Sequence, residues 1–268
     1  MKKEYNEYLE FAKSIACKAG EIMLKYFSAK DISKYKGDKT IVTLADTEIN
    51  SYLIERVKEK YPTHSVFGEE EKLNNNSNFI WVCDPVDGTA QYARGVPIAT
   101  FSLALVIDGV SVIGVVLDPF TNSLYHAVKE QGAFKNNERM KVSDIGLDDK
   151  RSVSSFDLCF ASHPYASVMF PALWELMEKY YFVSVGSCVR GCVAVADGQY
   201  NLHLFPGCGC HDIAAVKIIV EEAGGVVRNL YGQEDKMDGN IKGAIVCNKV
   251  TYNEVFELLK KHIKDKKL

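Results

Sequence analysis

Phe79-Ile80-Trp81-Val82-Cys83-Asp84-Pro85-Val86-Asp87-Gly88-Thr89 is the stretch whose reading decides the fold. Its first five residues are apolar without a break, the pattern of a strand covered on both faces. The chain then delivers two acids, Asp84 and Asp87, at the exit of that strand. Carboxylates there are costly to desolvate unless a cation or hydrogen bonds compensate them. Pro85 constrains the turn, so the two side chains can converge. Hard divalent ions such as Mg²⁺ take oxygen ligands, and carboxylates supply both the oxygen and the charge. Beside such ions Gly88 lets the backbone approach closely, and the consecutive N–H groups of Gly88-Thr89-Ala90 can form a nest for phosphate. The Thr89 hydroxyl is available to position a water.

Working outward, apolar residues near positions 5, 8, 12, 15, 19, 22 and 26 follow helical spacing and predict one amphipathic helix over 4–27. A Lys-rich loop follows. A second helix is expected to open on Asp46 as its N-cap, to bury Ile49, Leu53, Val57 and Tyr61, and to stop at Pro62. Ser65-Val66-Phe67 reads as a short strand leading to Gly68-Glu69-Glu70, and residues 72–78 as a loop. Beyond the opening stretch, 100–107 and 110–117 are β-rich runs joined by Asp108-Gly109, a strong hairpin signal. Residues 124–128 add another strand. The second half predicts helices over 171–180, 188–196, 212–223 and 252–263, with strands over 182–185 and 244–247. Gly224-Gly225 marks the end of the third of those helices. The mixture is α/β, with a subdomain boundary expected near 140–150, dividing residues 1–145 from 146–268.

With 268 residues the chain can bury a large core. Its net charge of −3 gives no global field toward nucleic acid or an anionic membrane. The one basic run, Lys260 to Lys267, reads as a solvated helix face. Glu4, Glu7, Glu10 and Lys13 interrupt any apolar stretch near the start, so no export signal is expected. The run from Ile98 to Ile107 is too short to span a bilayer. The eight cysteines then read as reduced thiols in a cytoplasm.

Each of the other acids has an ordinary explanation on its own. Asp46 and Asp212 suit helix starts, and Glu69-Glu70 suit a solvated turn. Together they are more specific, because strand ends and helix N-termini are where α/β proteins bind ligands.

In order and spacing, Val42-Thr43-Leu44-Ala45-Asp46, Gly68-Glu69-Glu70, Trp81 to Thr89, and Asp212-Ile213-Ala214-Ala215 followed by Glu222-Ala223-Gly224-Gly225 resemble the inositol monophosphatase family, with the weaker Gly186-Ser187 element between them. The match spans nearly the whole chain. It implies a fold of alternating helix and sheet layers and a Mg²⁺-dependent phosphatase using two or three ions, with Mn²⁺ as a substitute. It implies metal ligation by Glu69, Asp84, Asp87, Asp212 and the carbonyl of Val86. Glu69 would hold the ion that activates water, and Thr89 paired with Asp46 would orient and deprotonate that water. Asp87, Gly88, Thr89, Ala90, Gly186, Ser187, Phe205 and His211 would surround the phosphate and substrate. A small phosphate ester as substrate and a homodimer complete the expectation.

The chain departs from the family's pattern in four places. Thr40, with Asp38 nearby, stands where an acid is usual; Ala90-Gln91-Tyr92 replaces Thr-Asn-Phe; His211 replaces Trp; and Phe205 falls where inositol-using members place Glu. Losing that Glu removes acceptors for a polyol, and Phe205 is expected to stack on a base or pack an imidazole chain. Inositol phosphate leads, followed by histidinol phosphate, fructose 1,6-bisphosphate and adenosine 3′,5′-bisphosphate. Two other readings stand beside these. One is a catalytically silent protein of the same fold. The other is a structural zinc site in which Cys188, Cys192, Cys208, Cys210 and His211 supply the ligands.

Overall fold

Apolar residues spaced three and four apart wind into α1 (Lys2–Tyr26), which buries Ala12, Ile15, Ala19 and Met23 along one face. This computed structural model describes residues 2–27, 29, 33–35, 41–157, 165–207 and 209–263. Asp38, Thr40 and Cys208 lie outside them.

A two-stranded ribbon, β1 (Ser33–Tyr35) with β2 (Ile41–Thr43), leads into α2 (Leu44–Lys60). A large sheet follows, built from β3 (Ser65–Gly68), β4 (Lys72–Leu73), β5 (Phe79–Asp87), β6 (Thr100–Ile107), β7 (Val110–Asp118), β8 (Ser123–Val128), β9 (Gly132–Lys135) and β10 (Glu138–Arg139). One short helix, α3 (Thr89–Tyr92), interrupts it after β5. The strand order is β10-β9-β8-β7-β6-β5-β3-β4, antiparallel except between β3 and β5. Asp108 and Gly109 both take positive φ, at 53° and 83°, so the expected hairpin between β6 and β7 is made by an Asp-Gly turn.

The second half supplies β11 (Ser154–Phe156), α4 (Ala166–Met177), β12 (Phe182–Ser184), α5 (Cys188–Ala196), β13 (Leu202–Phe205), α6 (Cys210–Glu222), β14 (Val226–Arg228), β15 (Ala244–Cys247) and α7 (Lys249–Ile263). Its sheet has the order β12-β11-β13-β15-β14.

Alternation along the strands produces the layers. On β6, Phe101, Leu103 and Leu105 join the core under α1 and α2, while Ala104 and Val106 face the other way, toward α5 and α6. The α4 and α7 helices cover the far side of the second sheet through Met169, Leu173, Val255 and Leu259. The result is helices, sheet, helices, sheet, helices: the alternating α/β layering expected from the sequence.

Some boundaries differ from the expectation. Lys72-Leu73, taken as loop, pairs antiparallel with β3. The helix expected from Pro171 starts at Ala166. The Met169 N–H bonds the Tyr165 carbonyl at 3.1 Å, closing a turn ahead of the proline.

Between the sheets, α6 is buried nearly all round, from Ile213 to Val220. The large sheet makes room for it at Gly114 on β7, where a Cβ would fall on the Ala215 carbonyl oxygen. Ser111 donates to the neighbouring Ala214 carbonyl at 2.7 Å. Gly114→Ala should therefore lower stability by about 1–3 kcal/mol through overpacking. A melting curve indistinguishable from the parent's would contradict this account of how α6 is seated.

Candidate active site

Asp46 owes its position to a capping box. Thr43, not Asp46, is the N-cap of α2, and Asp46 is the third helical residue. The Asp46 N–H bonds the Thr43 hydroxyl at 3.4 Å, while the Thr43 backbone N–H donates to Asp46 Oδ2 at 2.8 Å and its hydroxyl to the same oxygen at 2.5 Å. Asp46 Oδ1 is buried without a partner. Burial, against the opposing Thr43 hydrogen bonds and with the nearby Glu69 and Glu70 charges, pushes the carboxyl up to about 7.

Glu69 and Glu70 follow β3, where Gly68 is required: a Cβ there would strike Asn50 and come within 2.7 Å of the Glu71 carbonyl. The Glu69 N–H bonds the Cys83 carbonyl at 3.1 Å, which ties the turn to β5.

β5 runs past Cys83 to Asp87, with its register against β6 shifting between Asp84 and Asp87. Pro85 cannot donate to the ladder, and the irregularity falls around it. The Val86 N–H donates to Asp84 Oδ1 at 3.1 Å. Asp84 is driven well above the usual carboxylate range by burial, then by the charges of Glu69, Asp212, Asp87 and Asp46.

Asp87 is held from several sides. Its Oδ2 accepts from the Thr100 hydroxyl at 3.1 Å, from the Ser187 hydroxyl and from the Val189 N–H at 3.2 Å; Oδ1 accepts from the Cys188 N–H at 3.1 Å. The N-terminus of α5 thus grips a carboxylate, an arrangement its dipole favours. Burial dominates here too, raising Asp87 to about 7 despite the Ser187 and Thr100 hydrogen bonds.

Asp212 lies in the first turn of α6, whose N-cap is Gly209; the expectation that Asp212 itself opens the helix is corrected. Its Oδ2 is buried without a hydrogen bond, 3.3 Å from His211 Nε2. The carboxylates gather as two triads: Asp46, Glu69 and Glu70, and Asp84, Asp87 and Asp212. Within each, one oxygen from every carboxylate lies within 4.8 Å of the others.

Gly88 takes φ of 86° as the N-cap of α3, and a Cβ would come within 2.7 Å of the Ile98 carbonyl. Thr89 donates to the Val86 carbonyl at 2.7 Å. Thr89 and Asp46 share no hydrogen bond: the Thr89 hydroxyl donates to β5, and Asp46 Oδ2 accepts from Thr43. Ala90 is exposed, and Gly186 takes φ of 76° with the Gln91 side chain across it.

His211 lines a cleft of about 410 Å³ with Glu69, Lys72, Asp238 and Asn240. Phe205 does not line it. Its ring has no exposed surface, because β13 is a central strand covered on both faces, so Phe205 is a core residue and the expected stacking on a substrate is not met.

Thr43 and Thr100 were missed by the sequence reading. The Thr43-x-x-Asp46 spacing is a capping signature that points to the first; nothing local marks the second. The expected thiol set also changes. Among the described residues, Cys188 and Cys192 gather with His203 on β13 and not with Cys210 and His211.

The sequence profile of the inositol monophosphatase family matches residues 4–264. Inositol monophosphatase 1 of Homo sapiens is 30% identical over 240 residues, covering 85% of each chain. A histidinol-phosphatase of Chlorobaculum parvum is 30% identical over 247 residues, covering 90% of this chain and 92% of its own. Among solved structures, an IMPase of Thermotoga maritima superposes with a TM-score of 0.85 at 26% identity, over 97% of this chain and 99% of that one. The layers, the two carboxylate triads and these likenesses agree: the chain belongs to the inositol monophosphatase family and is a phosphomonoester hydrolase.

Proposed function

We propose that the enzyme is Mg²⁺-dependent, that Glu69, Asp84, Asp87, Asp212 and the Val86 carbonyl hold the ions, and that the substrate is a small metabolite phosphate. The observation that carries this is the pair of carboxylate triads, with Asp46 Oδ1 and Asp212 Oδ2 buried and without a hydrogen bond. The donors are all oxygen, which suits a hard divalent cation, Mn²⁺ as well as Mg²⁺. Two triads accommodate two or three ions. Bound there, Mg²⁺ would offset the charge of a phosphate monoester and lower the pKa of an attacking water.

The chain's own groups have separable parts. Gly88 and Thr89 present N–H groups at the start of α3, where the helix leaves them without internal partners, to the phosphate oxygens. Thr89 keeps hydroxyl lone pairs for a water while donating to Val86. Asp46, raised to about 7, is suited to take a proton at Oδ1 near neutral pH. Ser187 and the first N–H groups of α5 fix Asp87 in place.

The cleft beside Glu69 and His211 is of metabolite size. An inositol phosphate is the leading substrate. Histidinol phosphate is the second reading, favoured by Asp238 in the cleft, which would receive an ammonium group. A homodimer in the cytoplasm follows from the family resemblance and the thiol-rich composition. Light scattering checks the first.

The experiment is Mg²⁺-dependent phosphate release from inositol 1-phosphate, histidinol phosphate, fructose 1,6-bisphosphate and adenosine 3′,5′-bisphosphate. One substrate should stand out with kcat/KM on the order of 10⁴ M⁻¹s⁻¹ or more. Turnover undiminished after chelation of divalent ions would overturn the metal assignment.

A further inference from the structure

Among the described residues, one other group of ligating side chains gathers away from the carboxylates, and it is buried. Cys188 and Cys192 stand four residues apart, on one face of α5. His203 comes from β13 with no exposed surface. Sulfur and imidazole donor atoms lie within 4.8 Å of one another. α5 is shaped for the ring: at Gly191, between the two thiols, any Cβ would collide with the His203 imidazole.

The adjacent strand orients that ring. Ser155 on β11 pairs with His203 in the parallel register, and its hydroxyl lies 2.8 Å from Nδ1 and 3.4 Å from the Leu202 carbonyl. The proton in the Ser155–Nδ1 hydrogen bond sets the tautomer: when it sits on Nδ1, Nε2 carries a bare lone pair. Nε2 is buried and has no hydrogen-bond partner. In that tautomer a buried acceptor stands unsatisfied, which is unfavourable, so a ligand that takes this lone pair removes a penalty. Burial also pulls the imidazole down to about 3, which keeps it in the neutral form that ligates metals.

We propose that Cys188, Cys192 and His203 form a second metal site, for a thiophilic divalent cation such as Zn²⁺, behind the carboxylate centre. Two thiolates and a neutral imidazole offset a 2+ ion completely, so the filled site carries no net charge into the core. Zinc bonds of about 2.0–2.3 Å would bring the three donors around one ion. Each thiol gives its proton to solvent as it binds, two per ion, and nothing is oxidised or reduced. The role is structural. The Cys188 N–H holds Asp87 Oδ1, so an ion clamped to the Cys188 thiol steadies the helix turn that grips the catalytic carboxylate.

The test uses Cd²⁺ as the probe, because a cadmium–thiolate bond gives an ultraviolet charge-transfer band that a carboxylate site does not. Cys17→Ser is the background, to remove an exposed thiol. The full-length protein, saturated with Mg²⁺, is titrated with Cd²⁺ both folded and after refolding in its presence. One cadmium–thiolate chromophore per chain is expected, with release of two protons. The band should vanish in Cys192→Ser and survive in Cys83→Ser, Cys159→Ser, Cys208→Ser and Cys210→Ser. Ser155→Ala should weaken Cd²⁺ binding on the order of 10–100-fold by freeing the ring. If Cys192→Ser fails to fold by circular dichroism, Cys192→Ala removes the same thiol while keeping an apolar filling. Absence of the band after refolding in Cd²⁺, or its survival without the Cys192 thiol, would overturn the site and leave the cluster as apolar packing. Because the assay reads no phosphatase activity, its failure is independent of the catalytic assignment.

Discussion

Asp84→Asn should reduce kcat/KM on the order of 10³-fold or more and, at neutral pH without divalent ions, raise the melting temperature. The two effects have opposite signs for one reason. Asp84 is 2% exposed and faces the charges of Glu69, Asp212, Asp87 and Asp46. In the metal-free protein burial and repulsion oppose its ionised form and hold a proton on it at a cost near neutral pH, so a neutral amide of the same shape relieves that cost. With Mg²⁺ present the same charge becomes an asset. The parent should gain about 2.7 kcal/mol from ions at 100 times their dissociation constant, and the variant little. Loss of a single preorganised charge-stabilising group already costs 10²–10³-fold in other enzymes, and a metal ligand anchors more than one group. A merely misfolded variant would lose activity and stability together. Near-normal turnover in Asp84→Asn would remove the carboxylate centre from the mechanism.

The second large effect is on the pH dependence of stability. Asp46 and Asp87 are raised from an ordinary 3.8 to about 7. The folded chain therefore holds protons that the unfolded chain releases above about 4. Their contribution is fully present below pH 4 and is lost as pH rises through 7, the reverse of a salt-bridged carboxylate. A carboxyl moved that far accounts for at most about 4 kcal/mol. Metal-free protein should thus melt progressively lower between pH 4 and pH 7, and saturating Mg²⁺ should flatten the curve. Calorimetric scans across that range, with and without chelator, read it directly. A metal-free protein whose stability climbs with pH over the same interval would show that these carboxyls are compensated some other way.

Legibility from sequence followed how local the controlling physics is. The helix over 2–26 and the hairpin at Asp108-Gly109 depend on side-chain period and on two positive φ values, both written in adjacent residues. The carboxylates were legible as a set because each ends or begins an element. The start of α2 was misplaced by three residues because Asp46 satisfies two roles at once, third helical residue and cap partner, and only the pairing with Thr43 separates them. Phe205 misled because alignment placed it at a polar family position, whereas its exposure is fixed by neighbours β11 and β15, both remote in sequence. Thr100 on Asp87 and His203 near the α5 thiols have the same origin: contacts made by sheet register, which no short window records.

The placement of α6 has a consequence for how the protein is made. The large sheet is complete in the chain by Arg139, yet much of one face is covered by a helix that begins at Cys210. During synthesis Val82, Ala104, Val106 and Val116 are therefore translated well before their cover exists. The nascent chain passes through a stage with a wide apolar face bare, the kind of surface that recruits chaperones or seeds aggregates. Truncation before α6 should accordingly yield inclusion bodies instead of a smaller soluble domain, and the halves of the chain should melt in one transition.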